Sequence, residues 1–110
     1  MELDLDLDQL MQDMAGAAGE AVGEAPAEIA EQARKALEGQ REALADLAEA
    51  RLEGRIDDEI LERQVDREQR VFRTEMLAVR MMSEAAAEQA WNAARDRFLS
   101  AVQSAVRGAL

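Results

Sequence analysis

Gly54-Arg55-Ile56-Asp57, continued by Asp58-Glu59-Ile60-Leu61, is the stretch whose reading decides the fold. Gly54 takes the left-handed conformation that closes a helix at no steric cost. Asp57 is a strong N-cap, and Asp58 and Glu59 place negative charge at the positive end of the helix that follows. Ile56 and Leu61 have the spacing of a hydrophobic staple. A helix stop and a helix start so close together predict an all-α protein built on an antiparallel helical hairpin, with its turn at 54–57 formed by Gly54, Ile56, Asp57 and Leu61.

Upstream of the turn, Pro26 suits a first helical position, and Glu28 and Glu31 complement the helix dipole. Only Gly39 weakens the run that follows, by about 1 kcal/mol relative to alanine. Ile29, Ala33, Leu37, Leu44, Leu47 and Leu52 recur at helical spacing, with Gln40 interrupting the seam. The pattern predicts a helix over 26–53, roughly 40 Å long at about 1.5 Å per residue.

Downstream, no proline or glycine occurs between Asp58 and Gly108. The apolar stripe runs Leu61, Val65, Phe72, Met76, Val79, Met82, Ala86, Ala90, Ala94, Phe98, Val102, Ala105, with Glu68 as its main polar interruption. This predicts one long second helix over 58–107, roughly 75 Å from end to end, a coiled-coil-like length. The phrase Gly54-x-Ile56-Asp57-Asp58-Glu59-x-Leu61 resembles the turn of SHOCT-type short C-terminal domains over about a dozen residues. Gln64 and Val65 stand where that family continues with lysine and leucine, and the resemblance implies shared capping physics with no function attached.

Folding 26–53 against 58–107 antiparallel sets Leu47 near Val65, Leu44 near Glu68 and Ala33 near Val79. Everything beyond Ala87 then lacks a partner. That overhang carries Trp91, Phe98, Leu99, Val102 and Val106 on one side, a large apolar patch if left in water. Two covers are open: the segment from Leu7 to Val22 folding back as a third helix, or the overhangs of several chains packing together. Because Ala15-Gly16-Ala17-Ala18-Gly19 is a weak helix former, the second is favoured. The expectation is an oligomeric helix bundle, a dimer by default, with Trp91, Phe98, Leu99, Val102 and Val106 as its interface.

The first 25 residues form an acidic arm or short helix in this reading. Leu3, Leu5 and Leu7 alternate with Asp4, Asp6 and Asp8, and Asp6 and Gln9 have the spacing of a capping box. The aspartates match a calcium loop in spacing only, since Gln9 and Ala15 occupy the positions that need glycine and a bidentate glutamate.

Charge and composition narrow the chemistry. The formal net charge is −11 over 110 residues, with 17 acidic and 5 basic side chains before residue 61 and 7 and 8 after it. Such a chain repels phosphate backbones, and no nucleic-acid partner is expected. Arg63, Arg67 and Arg70 form a stripe expected to pair with Glu38, Glu42, Asp46, Glu49 and Glu53 across the hairpin. Met76, Met81 and Met82 form an adaptable cluster, read either as core filling or as a partner-binding face.

Histidine and cysteine are absent, which removes the commonest general base, thiolate chemistry and the usual transition-metal ligands. With no histidine, Ser83, Ser100, Ser104 and Thr74 have no base to activate them. No enzyme activity, cofactor or metal is expected. The acidic start Met1-Glu2-Leu3-Asp4 lacks the basic region of a signal peptide, and no apolar run approaches membrane-spanning length. A cytoplasmic protein of a bacterial or phage genome is the expectation, the latter because Lys35 is the sole lysine beside twelve arginines. The expected function is that of a helical structural or assembly protein acting through homo-oligomerisation and helix-face contacts with itself or another protein. The rival expectation is a chaperone- or antitoxin-like binder that shields a basic or apolar partner with the acidic N-terminal arm.

Overall fold

The computed structural model describes residues 6–23, 26–78 and 82–109. Among them the chain forms α1 (Leu7–Val22), α2 (Pro26–Leu52), α3 (Asp58–Arg67), α4 (Gln69–Leu77) and α5 (Glu84–Ala109), with no strand. Taking α3 and α4 as one bent arm, four helical arms surround a single core.

The helix ends follow local chemistry. The Asp6 carboxylate accepts from the Gln9 amide at 3.1 Å and opens α1, while the Gln9 side chain turns forward to Asp13 instead of back to the cap. Half of the capping box therefore forms. α2 closes in a Schellman arrangement: Arg55 N–H donates to the Ala50 carbonyl at 2.9 Å and Gly54 N–H to that of Arg51 at 3.1 Å. Gly54 makes this reversal at φ +76°. Asp57 then caps α3, accepting from Ile60 N–H at 2.9 Å.

Where the sequence predicts one helix over 58–107, the chain makes three. The first break is at Glu68, whose N–H tightens onto the Val65 carbonyl at 2.9 Å. The Gln40 side chain inserts at this point, its Nε2 donating to the Glu68 carbonyl at 2.7 Å. A side chain reaching into the helical ladder is a recognised cause of a bend. The second break follows Leu77, and α5 starts afresh with Ser83 Oγ accepting from Ala86 N–H at 3.0 Å. Phe72 and Trp91 meet across the reversal with ring centroids 5.4 Å apart.

The energetics favour the folded-back chain. Breaking a helix forgoes a few hydrogen bonds of about 1 kcal/mol each, one of them replaced by the Ser83 cap. Fully burying a large apolar side chain returns roughly 1.5–3 kcal/mol, and Trp91, Phe98 and Val102 are all fully buried in the chain's own core. The extents are 44 × 22 × 19 Å, against the roughly 75 Å that an unbroken second helix requires.

α1 supplies the cover that the spacing of the sequence assigns to a second chain. It packs against both α2 and α5 and brings Leu10, Met11, Met14, Ala15 and Ala18 into the core. α5 answers with Ala87, Ala90, Trp91, Ala94, Phe98 and Val102, at helical spacing on one face. The small residues let the helices approach closely, so a segment that is a weak helix alone becomes a well-buried one in context.

Candidate functional site

The residues expected to form an oligomer interface are placed inside the molecule. Trp91, Phe98 and Val102 are fully buried, Leu99 nearly so, and Val106 packs partly buried on the same core. The apolar overhang that called for a second chain does not exist, because α1 lies over it. Met76 is likewise fully buried and offers no surface to a partner, whereas Met82 is partly buried against the core. Met81 lies outside the described residues. Of the turn residues, Gly54 has a positive φ, Asp57 caps α3, Ile56 packs on the core and Leu61 is buried within it.

The arginine stripe behaves differently from its expected role. At about 100° per residue, Arg63, Arg67 and Arg70 lie on the far side of the bent arm from Leu61, Val65, Phe72 and Met76, the side chains that the arm buries. They therefore point away from α2 and its acids. Arg63 pairs with Glu59 one turn back in its own helix, at 3.0 Å. Among the described residues, neither Arg67 nor Arg70 has a carboxylate within ion-pairing distance, and the α2–α3 ion pair is Arg51–Asp58 at 2.7 Å.

The outer side of the bend holds the molecule's most distinctive surface. Arg67, Arg70 and Arg73 share an open groove of about 600 Å³ with Val71, Thr74 and Leu77. Val71 is 46% exposed and Leu77 37%. With Ile60, these are the exposed large hydrophobic side chains of the described residues, and all of them belong to α3 or α4. The groove's carboxylate, Asp66, is engaged from behind by Arg95 of α5 at 2.6 Å. That hydrogen bond is the main reason the Arg95 guanidinium is held even more firmly protonated than usual. Arg73 reaches Glu84 at 3.2 Å, tying the end of the arm to the start of α5. Arg67 and Arg70 are left with their charge directed at solvent.

The signal for this surface is present in the sequence. Val71 and Leu77 are apolar residues that fall off the core stripe, on the arginine side of the helix. Taking the stripe as a seam of ion pairs sets both of them aside.

Elsewhere the surface offers little chemistry. Among the described residues, no group of three or more acidic side chains is arranged to hold a metal ion, and Gln40 is the buried polar side chain. Among them, too, no helix is long and apolar enough to cross a membrane. Comparison with protein-family models, with curated proteins and with solved structures finds no match to the chain.

Proposed function

We propose that this is a non-enzymatic helical interaction protein that works by presenting the outer face of α3 and α4 to another protein chain. One observation carries the reading: among the described residues, the exposed large hydrophobic side chains, Ile60, Val71 and Leu77, all lie on the bent arm. Apolar side chains beside uncompensated arginines are the composition of interface centres, where arginine is enriched and lysine depleted. A second copy of the chain is one partner such a face accepts. In that case self-association runs through α3 and α4 and leaves Trp91 and Phe98 in the core.

A second reading keeps the acidic character in view. Glu28, Glu42 and Asp46 are exposed on α2 and make no ion pair among the described residues. They suit a basic partner, in the manner of a shielding chaperone or antitoxin. Within α1, Leu10, Met11 and Met14 are committed to the core, and residues 1–5 of the acidic arm lie outside the described residues. The shielding surface in this reading is therefore α2.

A photo-crosslinking amino acid placed at Val71 in one variant and at Glu42 in another, each expressed in the native host, separates the two. A discrete crosslinked product from Val71 supports the α3–α4 face. A product from Glu42 alone supports the acidic face, and no product from either overturns both.

A further inference from the structure

Given that α3–α4 is the interaction face, we infer that its groove takes an acidic, leucine-bearing segment of a partner protein. The charge pattern carries this. The chain has an excess of 11 negative charges, and among the described residues seven arginines are ion-paired, namely Arg34, Arg41, Arg51, Arg55, Arg63, Arg73 and Arg95, while Arg67, Arg70, Arg97 and Arg107 are not. Against that background Arg67 and Arg70 stand one turn apart on one open groove, bound to no carboxylate among the described residues. Carboxylates arriving from a partner find two unspent guanidinium forks there, a geometry suited to bidentate pairing.

The apolar half of the ligand follows from Val71 and Leu77, which flank the arginines and remain partly in water. From Arg67 to Leu77 the arm runs roughly 15 Å, the length of about three helical turns of a docked segment. Its groove is thus sized for a short amphipathic stretch, with acidic side chains over Arg67 and Arg70 and a leucine between Val71 and Leu77. This is the helix-in-groove mode of recognition with its charge sign specified.

A nucleic acid fits the same groove less well. Single-strand binding relies on exposed aromatic platforms beside the basic groove, and Phe72, Trp91 and Phe98 are all buried here. The strongly acidic remainder of the protein also repels a long phosphate backbone.

The test is fluorescence anisotropy on the full chain with labelled peptides of about twelve residues, matched to the groove length. One peptide carries leucines on one helical face with aspartates beside them; its controls replace Asp by Asn, or Leu by Ser. Oligothymidylate serves as a further probe. The expected result is saturable binding of the Asp/Leu peptide alone, weakened as salt is raised. Arg67→Glu with Arg70→Glu, and separately Val71→Asp with Leu77→Asp, should each weaken it by on the order of tenfold or more. Far-ultraviolet circular dichroism and the thermal midpoint report whether each variant keeps its fold, and Arg67→Gln with Arg70→Gln is the milder pair if charge reversal disturbs it. Equal binding of the Asn/Leu peptide, tighter binding of oligothymidylate, or no peptide binding overturns the inference. A Val71 crosslink without peptide binding overturns the acidic partner while leaving the interaction face standing; loss of both removes the face as well.

Discussion

Gln40 donates from its side-chain amide to the main-chain carbonyl of Glu68 across 2.7 Å, joining the middle of α2 to the bend between α3 and α4. The two residues are the polar interruptions in the two apolar stripes, and they interrupt because they meet. Gln40 is only 2% exposed, and its Oε1 finds no hydrogen-bond partner among the described residues. A buried amide half satisfied in this way gains little net stability, since the lone acceptor keeps its desolvation cost.

That balance sets opposite expectations for two substitutions. Gln40→Ala removes the amide and opens a cavity, and it should cost on the order of 2 kcal/mol. Gln40→Leu refills the space and removes the unpaired Oε1, while the Glu68 carbonyl still accepts from Phe72 N–H at 3.2 Å. It should lie within about 1 kcal/mol of the parent. Urea unfolding measures both; a leucine variant weaker than the alanine variant would sink this account of the bend.

Gly54 gives a cleaner expectation. Nothing lies within 4 Å of a Cβ added there, so space is not the constraint, but its φ is +76°. Gly54→Ala should therefore cost about 1 kcal/mol through backbone strain alone. Gly39→Ala, also free of steric contact but inside a helix, should stabilise by up to about 1 kcal/mol. Opposite signs in thermal melts of the two variants check the assignment of the turn, and equal effects would contradict it.

Ser83 is the cap that lets the chain reverse before α5, with its Oγ 3.0 Å from Ala86 N. Ser83→Ala should cost about 1 kcal/mol. Ser104→Ala, an exposed change inside α5, should leave stability within about 0.5 kcal/mol. Matching losses from both variants would show that the Ser83 cap contributes nothing.

These residues also mark what the sequence conveys and what it withholds. The ends of α1 and α2 and the start of α3 are written in short-range chemistry: Asp6, Pro26, Gly54 and Asp57 each act within a few residues. The breaks at Glu68 and after Leu77 are not, because neither has a glycine or proline. They arise from tertiary demands, the buried Gln40 amide needing a partner and the apolar face of α5 needing α1. Ser83 followed by Glu84 is the local trace of the second break. The register moves for the same reason. Even spacing about the turn puts Leu44 beside Glu68, whereas Gln40 reaches it, a shift of about one helical turn. The groove is legible only in part, since Arg67 and Arg70 stand out in the sequence but their direction depends on which face α2 covers.

The exposed Glu31–Arg34 pair provides a pH marker. Arg34 hydrogen-bonds Glu31 at 2.7 Å, and that bond, followed by the charge attraction, holds the Glu31 carboxyl below the ordinary value of 4.5. A carboxyl lowered in the folded state contributes stability that is complete above its unfolded value and lost as pH falls through the folded one. A carboxyl-detected NMR titration should give Glu31 a midpoint below 4.5, and Arg34→Gln should raise that midpoint. A midpoint that does not respond to the substitution would mean the pair does not persist in solution.

Trp91 decides between a core and an interface. It is 1% exposed, lies 5.4 Å from Phe72 between ring centroids, and shares the core with α1 residues such as Met14. If this packing is within one chain, Trp91→Ala should cost about 3–5 kcal/mol, and any dependence of the thermal midpoint on protein concentration should be the same in parent and variant. If Trp91 instead joined two chains, mass action would raise the midpoint with concentration and the variant would dissociate before unfolding. The same measurement on Val71→Asp supplies the contrast. Val71 is 46% exposed, so its replacement should leave the midpoint within about 0.5 kcal/mol equivalent at every concentration, unless α3–α4 is where a second copy binds. A concentration-dependent midpoint abolished by Val71→Asp but unaffected in slope by Trp91→Ala would place self-association on the outer arm; the reverse pattern would return it to α5 and overturn the single-chain core.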